Sequence, residues 1–255
     1  MPKRATRQGV LAGIARREWL LQMLALSAAG CGRDRTRASK RRGRRARLPD
    51  RLDPPYDGSR NRGIEMSAVQ ARRWTRQEYD RMIEAGVLTP EDRVELIEGE
   101  ILAMTPQGSA HATGVSLAQE AMRAAFGPRV HVRVQLPLAL GSDSEPEPDV
   151  AIVTGSVRDY REAHPQSALL VVEVADTTLP YDRDVKGSLY ARAGVPECWL
   201  VNLAEALVEV HRDPILMPQA RFGWQYRSVD RFGPGHSIAL LSLPRVRIAV
   251  ADLLP

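Results

Sequence analysis

Three short and almost unbroken apolar runs constrain this chain more than any other feature: DVAIVT over residues 149–154, ALLVVEVA over 168–175 and ECWLVNL over 197–203. They have the length of strands rather than helices. Their near-continuous apolar character marks strands covered on both faces. A sheet of this kind needs helical layers above and below it, which points to an α/β architecture.

The intervening segments supply those layers. Residues 111–126 place Val115, Leu117, Ala118, Ala121, Met122 and Ala125 at helical spacing. A second helix is expected from Arg183 to Ala193, with Asp182 as N-cap, Gly194 as the stop and Pro196 barring continuation. VHVRVQL over 130–136 alternates strictly, so it reads as a strand with one polar face, and Pro137 limits its continuation as a central strand. The core order is helix, three strands, helix, strand, forming a mixed sheet.

Smaller additions flank this core. Thr75 and Glu78 form a capping-box pattern, opening a helix that turns Tyr79, Met82 and Ile83 inward and ends near Gly86. VELIEGEILAM over 94–104 reads as a β-hairpin turning at Glu98-Gly99. Leu207–His211, WQYRSV over 224–229 and Arg245–Val250 read as further strands around the edge.

Charge divides the chain. Residues 1–65 hold 17 lysines and arginines against 6 acids, a surplus of +11, whereas residues 66–255 hold 19 against 25, a net of −6. The expected organisation is a basic tail over 1–65 and one domain over 66–255. RDRTRASKRRGRRAR over 33–47 carries too little apolar surface to fold. Three readings of the tail stand: a twin-arginine export signal around Arg16-Arg17, a disordered arm binding phosphates nonspecifically, and translation of DNA upstream of a true start at Met66. The last is preferred. Cys31 and Cys198 form neither a disulfide framework nor a metal-type pair, and a reducing cytoplasm fits. No apolar run is long enough to span a membrane.

The chemistry concentrates in the core. Asp149 opens its strand behind Glu145-Pro146-Glu147-Pro148, whose prolines hold the approach extended. Glu173 lies among valines, where a carboxylate is costly without a cation or hydrogen bonds. Lys186 is the only lysine after residue 65, against 18 arginines. Ammonium is a compact charge that guanidinium does not replace. On a helix, Asp182, Lys186 and Tyr190 share one face, and Gly187 permits close approach of that helix to the sheet. Two hard carboxylates, with a backbone carbonyl such as that of Val174, suit Mg²⁺ or Mn²⁺ as cofactor. Supporting candidates are Glu95 in the hairpin, Gln135 on the strand's polar face, and His111 at a helix start, where phosphate contact competes with a capping role. Trp199, Tyr190 and Val201 read as core.

PDVAIV, VEVAD, YDRDVK and YARAGVPECWLVNL, together with VELIEGEILAMTP and the His111 region, resemble the Uma family of restriction endonucleases within the PD-(D/E)xK superfamily. The resemblance runs from about Trp74 to Pro214. It implies a restriction-endonuclease-like α/β core with added β-hairpins. Asp149 takes the place of the motif aspartate and Glu173 that of the motif acid. The usual motif lysine would fall at Ala175, and the resemblance implies that its role has moved to Lys186. The implied activity is Mg²⁺-dependent endonucleolytic cleavage of DNA, leaving a 5′-phosphate and a 3′-hydroxyl; a homodimer is one assembly that would reconcile it with the charge of the domain. The competing reading is a catalytically silent nuclease-fold module that binds DNA or regulates. The domain charge of −6 favours neither a basic face nor tight DNA binding. Arg123, Arg129, Arg133, Arg158, Arg161, Arg183 and Arg192 are the candidates for a local basic patch.

Overall fold

The computed structural model of the chain describes residues 71–255. The expected basic tail over 1–65 and the start at Met66 lie outside them. The first element, α1 (Arg76–Glu84), begins with the expected capping box: Thr75 accepts from the Glu78 amide while the Glu78 carboxylate receives the Thr75 N–H. Tyr79 is buried, but Ile83 is 47% exposed, so the inward face is narrower than its periodicity suggested. Strands β1 (Val94–Ile97) and β2 (Glu100–Ala103) form the hairpin, with Glu98 and Gly99 both at positive φ as a tight two-residue turn requires.

Next come α2 (Ser109–Phe126), β3 (Val130–Val134), β4 (Val150–Thr154) and β5 (Leu170–Ala175). Three contiguous helical segments follow, Leu179–Tyr181, Asp182–Lys186 and Gly187–Arg192, together α3, of which the middle one is a π-turn. Then come β6 (Glu197–Asn202), β7 (Leu207–Leu216) and β8 (Trp224–Phe232). The main sheet is six-stranded in the order β3-β4-β5-β6-β7-β8, antiparallel except for the β5–β6 pair. The α2-β3-β4-β5-α3-β6 succession is the expected core. The last strands, β9 (Ser237–Ala239) and β10 (Arg247–Ala249), pair only with each other, so the segment over 245–250 does not join the edge of the main sheet.

Alternation along the central strands divides the interior into two layers, as period-two side-chain direction requires. Val150, Ile152, Val172, Val174 and Val201 pack under Val115, Ala118, Met122 and Phe126 of α2. Ala151, Val153, Val171, Cys198 and Leu200 pack under Leu189, Tyr190 and Ala191 of α3. The polar face expected for β3 is not a solvated one. Arg133 is buried, donating to the Pro137 carbonyl and lying against the Tyr160 ring.

Two further expectations need correction. Asp182 is not an N-cap: the helix starts three residues earlier, and Thr178 donates its hydroxyl to the Asp182 carboxylate at 2.6 Å. Gly187 does not bring α3 onto the sheet. A Cβ there would meet only the Asp182 carbonyl, at 3.3 Å, and the Gly187 amide bonds to that carbonyl to close the π-turn. The close helix–sheet approach is made by α2 instead, because a Cβ on Gly114 would fall 2.9 Å from Cγ1 of Val174.

That contact generates a test. Alanine at position 114 would gain helix propensity but already press on Val174, and a β-branched residue gains less and crowds that stiff side chain further. Gly114→Val is expected to lose about 1–3 kcal/mol of stability, read from denaturant unfolding. An unchanged midpoint would show that α2 can shift without cost.

Candidate active site

The pairing of β4 with β5 creates the site. Their register ends at Val150 opposite Val172, and one residue further Asp149 replaces a main-chain partner with its side chain. Its Oδ2 accepts the Val174 amide at 2.9 Å, while the Asp149 amide donates to Glu173 Oε2 at 3.2 Å. The two carboxylates thus lie side by side in the wall of a cavity of about 590 Å³. Residues from the hairpin, the start of α2 and the start of α3 complete its walls.

All six sequence-nominated residues converge here. Gln135, at positive φ just past β3, donates Nε2–H to Asp149 Oδ1 at 3.2 Å. His111, in the first turn of α2, brings Nε2 to 3.2 Å from Asp149 Oδ2; its Nδ1 is buried without a partner. It is therefore tied to Asp149 and is not a helix cap. Lys186 Nζ is 3.3 Å from Glu173 Oε1 and 3.5 Å from Glu95 Oε2. Glu95 is a buried acid, not an exposed hairpin charge, and also accepts the Glu147 amide.

The environment drives the two strand acids apart. Burial pushes both upward. At Asp149, the hydrogen bonds from His111, Val174 and Gln135 outweigh burial and hold the carboxyl below its usual value. At Glu173 burial prevails, helped by Asp149 and Asp182 and opposed by Lys186, and the carboxyl is pushed up to about 8. Burial would lower the Lys186 pKa, but Glu173, Glu95, Asp182 and Asp149 outweigh it and raise it, so Lys186 stays charged. The Asp149 contact, against burial, raises His111.

Sequence reasoning gave no place at the site to three participants, although it put two of them, Asp182 and Tyr190, on the Lys186 face. Tyr190 is core as expected, but its hydroxyl also donates to Glu173 Oε1 at 2.5 Å. Its place one turn beyond Lys186 was the available signal. Asp182 lines the cavity, and so does Tyr181, which preceded the expected helix start. The candidate basic patch is largely dispersed. Arg161, Arg183 and Arg192 pair with Glu162, Glu209 and Glu98, and Arg133 is buried.

A model of the Uma2 family, described as "Putative restriction endonuclease", matches residues 76–251. The chain belongs to the Uma2 family. A crystal structure described as "a putative nuclease belonging to DUF820", from Anabaena variabilis ATCC 29413, shares the fold. It aligns with a TM-score of 0.50 at 17% identity, covering 67% of this chain and 94% of that one. No match was found among curated proteins. Among the described residues, no helix of this Uma2 protein is long and apolar enough to cross a membrane.

The raised Glu173 sets a pH dependence. An acid whose folded pKa exceeds its unfolded value near 4.5 binds more protons folded than unfolded, so its contribution to stability falls as pH rises between the two. In metal-free buffer the melting temperature should therefore decline as pH rises from about 5 through about 8. Glu173→Gln should remove most of that decline. A slope unchanged in the variant would assign it to other groups.

Proposed function

We propose that this Uma2 protein is a metal-dependent DNA endonuclease whose reacting centre lies between Asp149, Glu173 and Lys186. The observation that carries the reading is the meeting, in one cavity, of two adjacent strand carboxylates with the domain's one lysine.

The residues present fit a hard divalent cation. Six acids line the cavity, Glu95, Glu147, Asp149, Glu173, Asp176 and Asp182, against Lys186 and His111. Even with Glu173 holding its proton in the metal-free site, this excess of acids over cations disfavours a phosphodiester unless a further cation offsets it. Among the described residues no three His, Cys, Asp or Glu side chains form a ready-made ligand cluster. Mg²⁺ typically takes one or two carboxylates and keeps several waters, so Asp149 and Glu173 with the Val174 carbonyl suffice. Such an ion supplies Lewis-acid charge stabilisation at the phosphate.

The protein's own groups do the rest. Asp149 is held ionised and oriented by Gln135, His111 and the Val174 amide. Glu173 is fixed by the Tyr190 hydroxyl and the Asp149 amide. Lys186, kept charged by its carboxylates, does not serve as a base. It offsets negative charge building on the phosphate as water attacks phosphorus and the P–O3′ bond breaks. The proton lost by water is balanced by the one the 3′-oxygen gains. Glu95 holds Lys186 from the hairpin side. A duplex cut on both strands with one such site per chain would call for two copies.

Supercoiled and single-stranded DNA, incubated with the full chain in Mg²⁺, Mn²⁺ or EDTA, test this. Cleavage should require metal and fall at least 100-fold in both Asp149→Asn and Lys186→Met, since each removes charge stabilisation of the order seen at electrostatic catalytic groups. Cutting that survives Lys186→Met would sink the lysine's role and leave the carboxylates standing. A folded protein that binds DNA without cutting would favour the silent module. Independently of turnover, millimolar Mg²⁺ should raise the melting temperature of the parent protein but not of Asp149→Asn.

A further inference from the structure

Among the described residues, Tyr181 carries the one buried side-chain hydroxyl without a hydrogen-bond partner, and it belongs to the cavity wall. Its oxygen is buried and has no hydrogen-bond partner, although the residue as a whole is only half-buried. A buried donor left unpaired is costly, and its persistence calls for an explanation such as a ligand group. Burial, reinforced by Glu95 and opposed by Lys186, raises the phenol's pKa, so the hydrogen is retained and available to donate.

The backbone shows how Tyr181 comes to line the site beside Lys186. In a regular α-helix, residues five apart differ by about 140° in direction, which would turn Tyr181 away from Lys186. The π-turn over Asp182–Lys186 inserts one extra residue and brings the two onto a common side. Both line the cavity, together with Asp182. Every other polar group on this side of α3 is already engaged: Asp182 with Thr178, Lys186 with Glu173 and Glu95.

Resting on the nuclease reading above, we infer that Tyr181 is a catalytic residue whose phenol donates to a non-bridging oxygen of the bound phosphodiester. It faces the phosphate from the α3 side and adds a neutral donor to the charge of Lys186. In a cavity lined with carboxylates, a neutral donor favours phosphate without adding to the charges that the acids must balance.

Tyr181→Phe in the full chain separates this role from a structural one. Because the hydroxyl has no partner within the protein, its removal should leave the DNA-free melting temperature unchanged or slightly higher. Metal-dependent cleavage should fall about tenfold, the scale of one hydrogen bond to a charged group. A single phosphorothioate at the scissile position, a poorer acceptor, should slow the parent protein more than Tyr181→Phe. A fall in melting temperature would overturn the inference by revealing a structural partner. Cleavage equal to that of the parent, or a phosphorothioate effect identical in both, would overturn it while leaving the nuclease reading intact. A parent protein that cuts no DNA under any metal would remove both.

Discussion

The charge on Lys186 is the interaction on which the arrangement depends. It is nearly buried between Glu173 and Glu95, with Asp149 and Asp182 close by. Removing one partner of a buried ionic group typically costs several kcal/mol, because the remaining charge is stranded. The acids of β4, β5, α3 and the hairpin can share one cavity because this ammonium lies between them.

The same helix is anchored twice across the sheet. Glu173, Leu200, Glu209 and Arg231 are successive cross-strand partners on β5, β6, β7 and β8, so they form one row on one face. Over that row, α3 sends Lys186 to Glu173 and Arg183 to Glu209. The two ion pairs fix the helix's rotation as well as its position. The arginine makes a bidentate contact with Glu209, for which its fork is suited, whereas the lysine presents a point charge to two carboxylates at once.

Much of this was legible in the sequence. Unbroken apolar runs gave β4, β5 and β6, because strands buried on both faces leave little room for polar residues. Glu173 was conspicuous for the same reason: nothing else in LLVVEVA asks for water. The capping box at Thr75 and the turn at Glu98-Gly99 were local signals with local causes. What the sequence did not reveal depended on tertiary contact. Arg133 sits on an alternating strand whose polar side is covered by a loop, and no periodicity reports a covering loop. Gly114 reads as an ordinary helix glycine until Val174 is known to lie beneath it. Tyr181 was lost because Asp182, a good capping type, suggested a helix start four residues late. A π-turn has no pattern of its own that would have corrected this.

The position of Glu95 has a consequence for assembly. It belongs to a two-stranded hairpin outside the main sheet, whose turn residue Glu98 is tied to Ser144 and to Arg192 at the end of α3. Lys186 and Glu173 are near neighbours in sequence, but Glu95 reaches them only by closing a loop through α2 and three strands. Long loops close late, after the local contacts have formed. The counter-charge on the hairpin side of Lys186 therefore carries the larger loop-closure cost of the two. A chain emerging N-terminus first holds Glu95 ready long before the groove it completes exists, so competence is a property of the finished fold and of no segment within it.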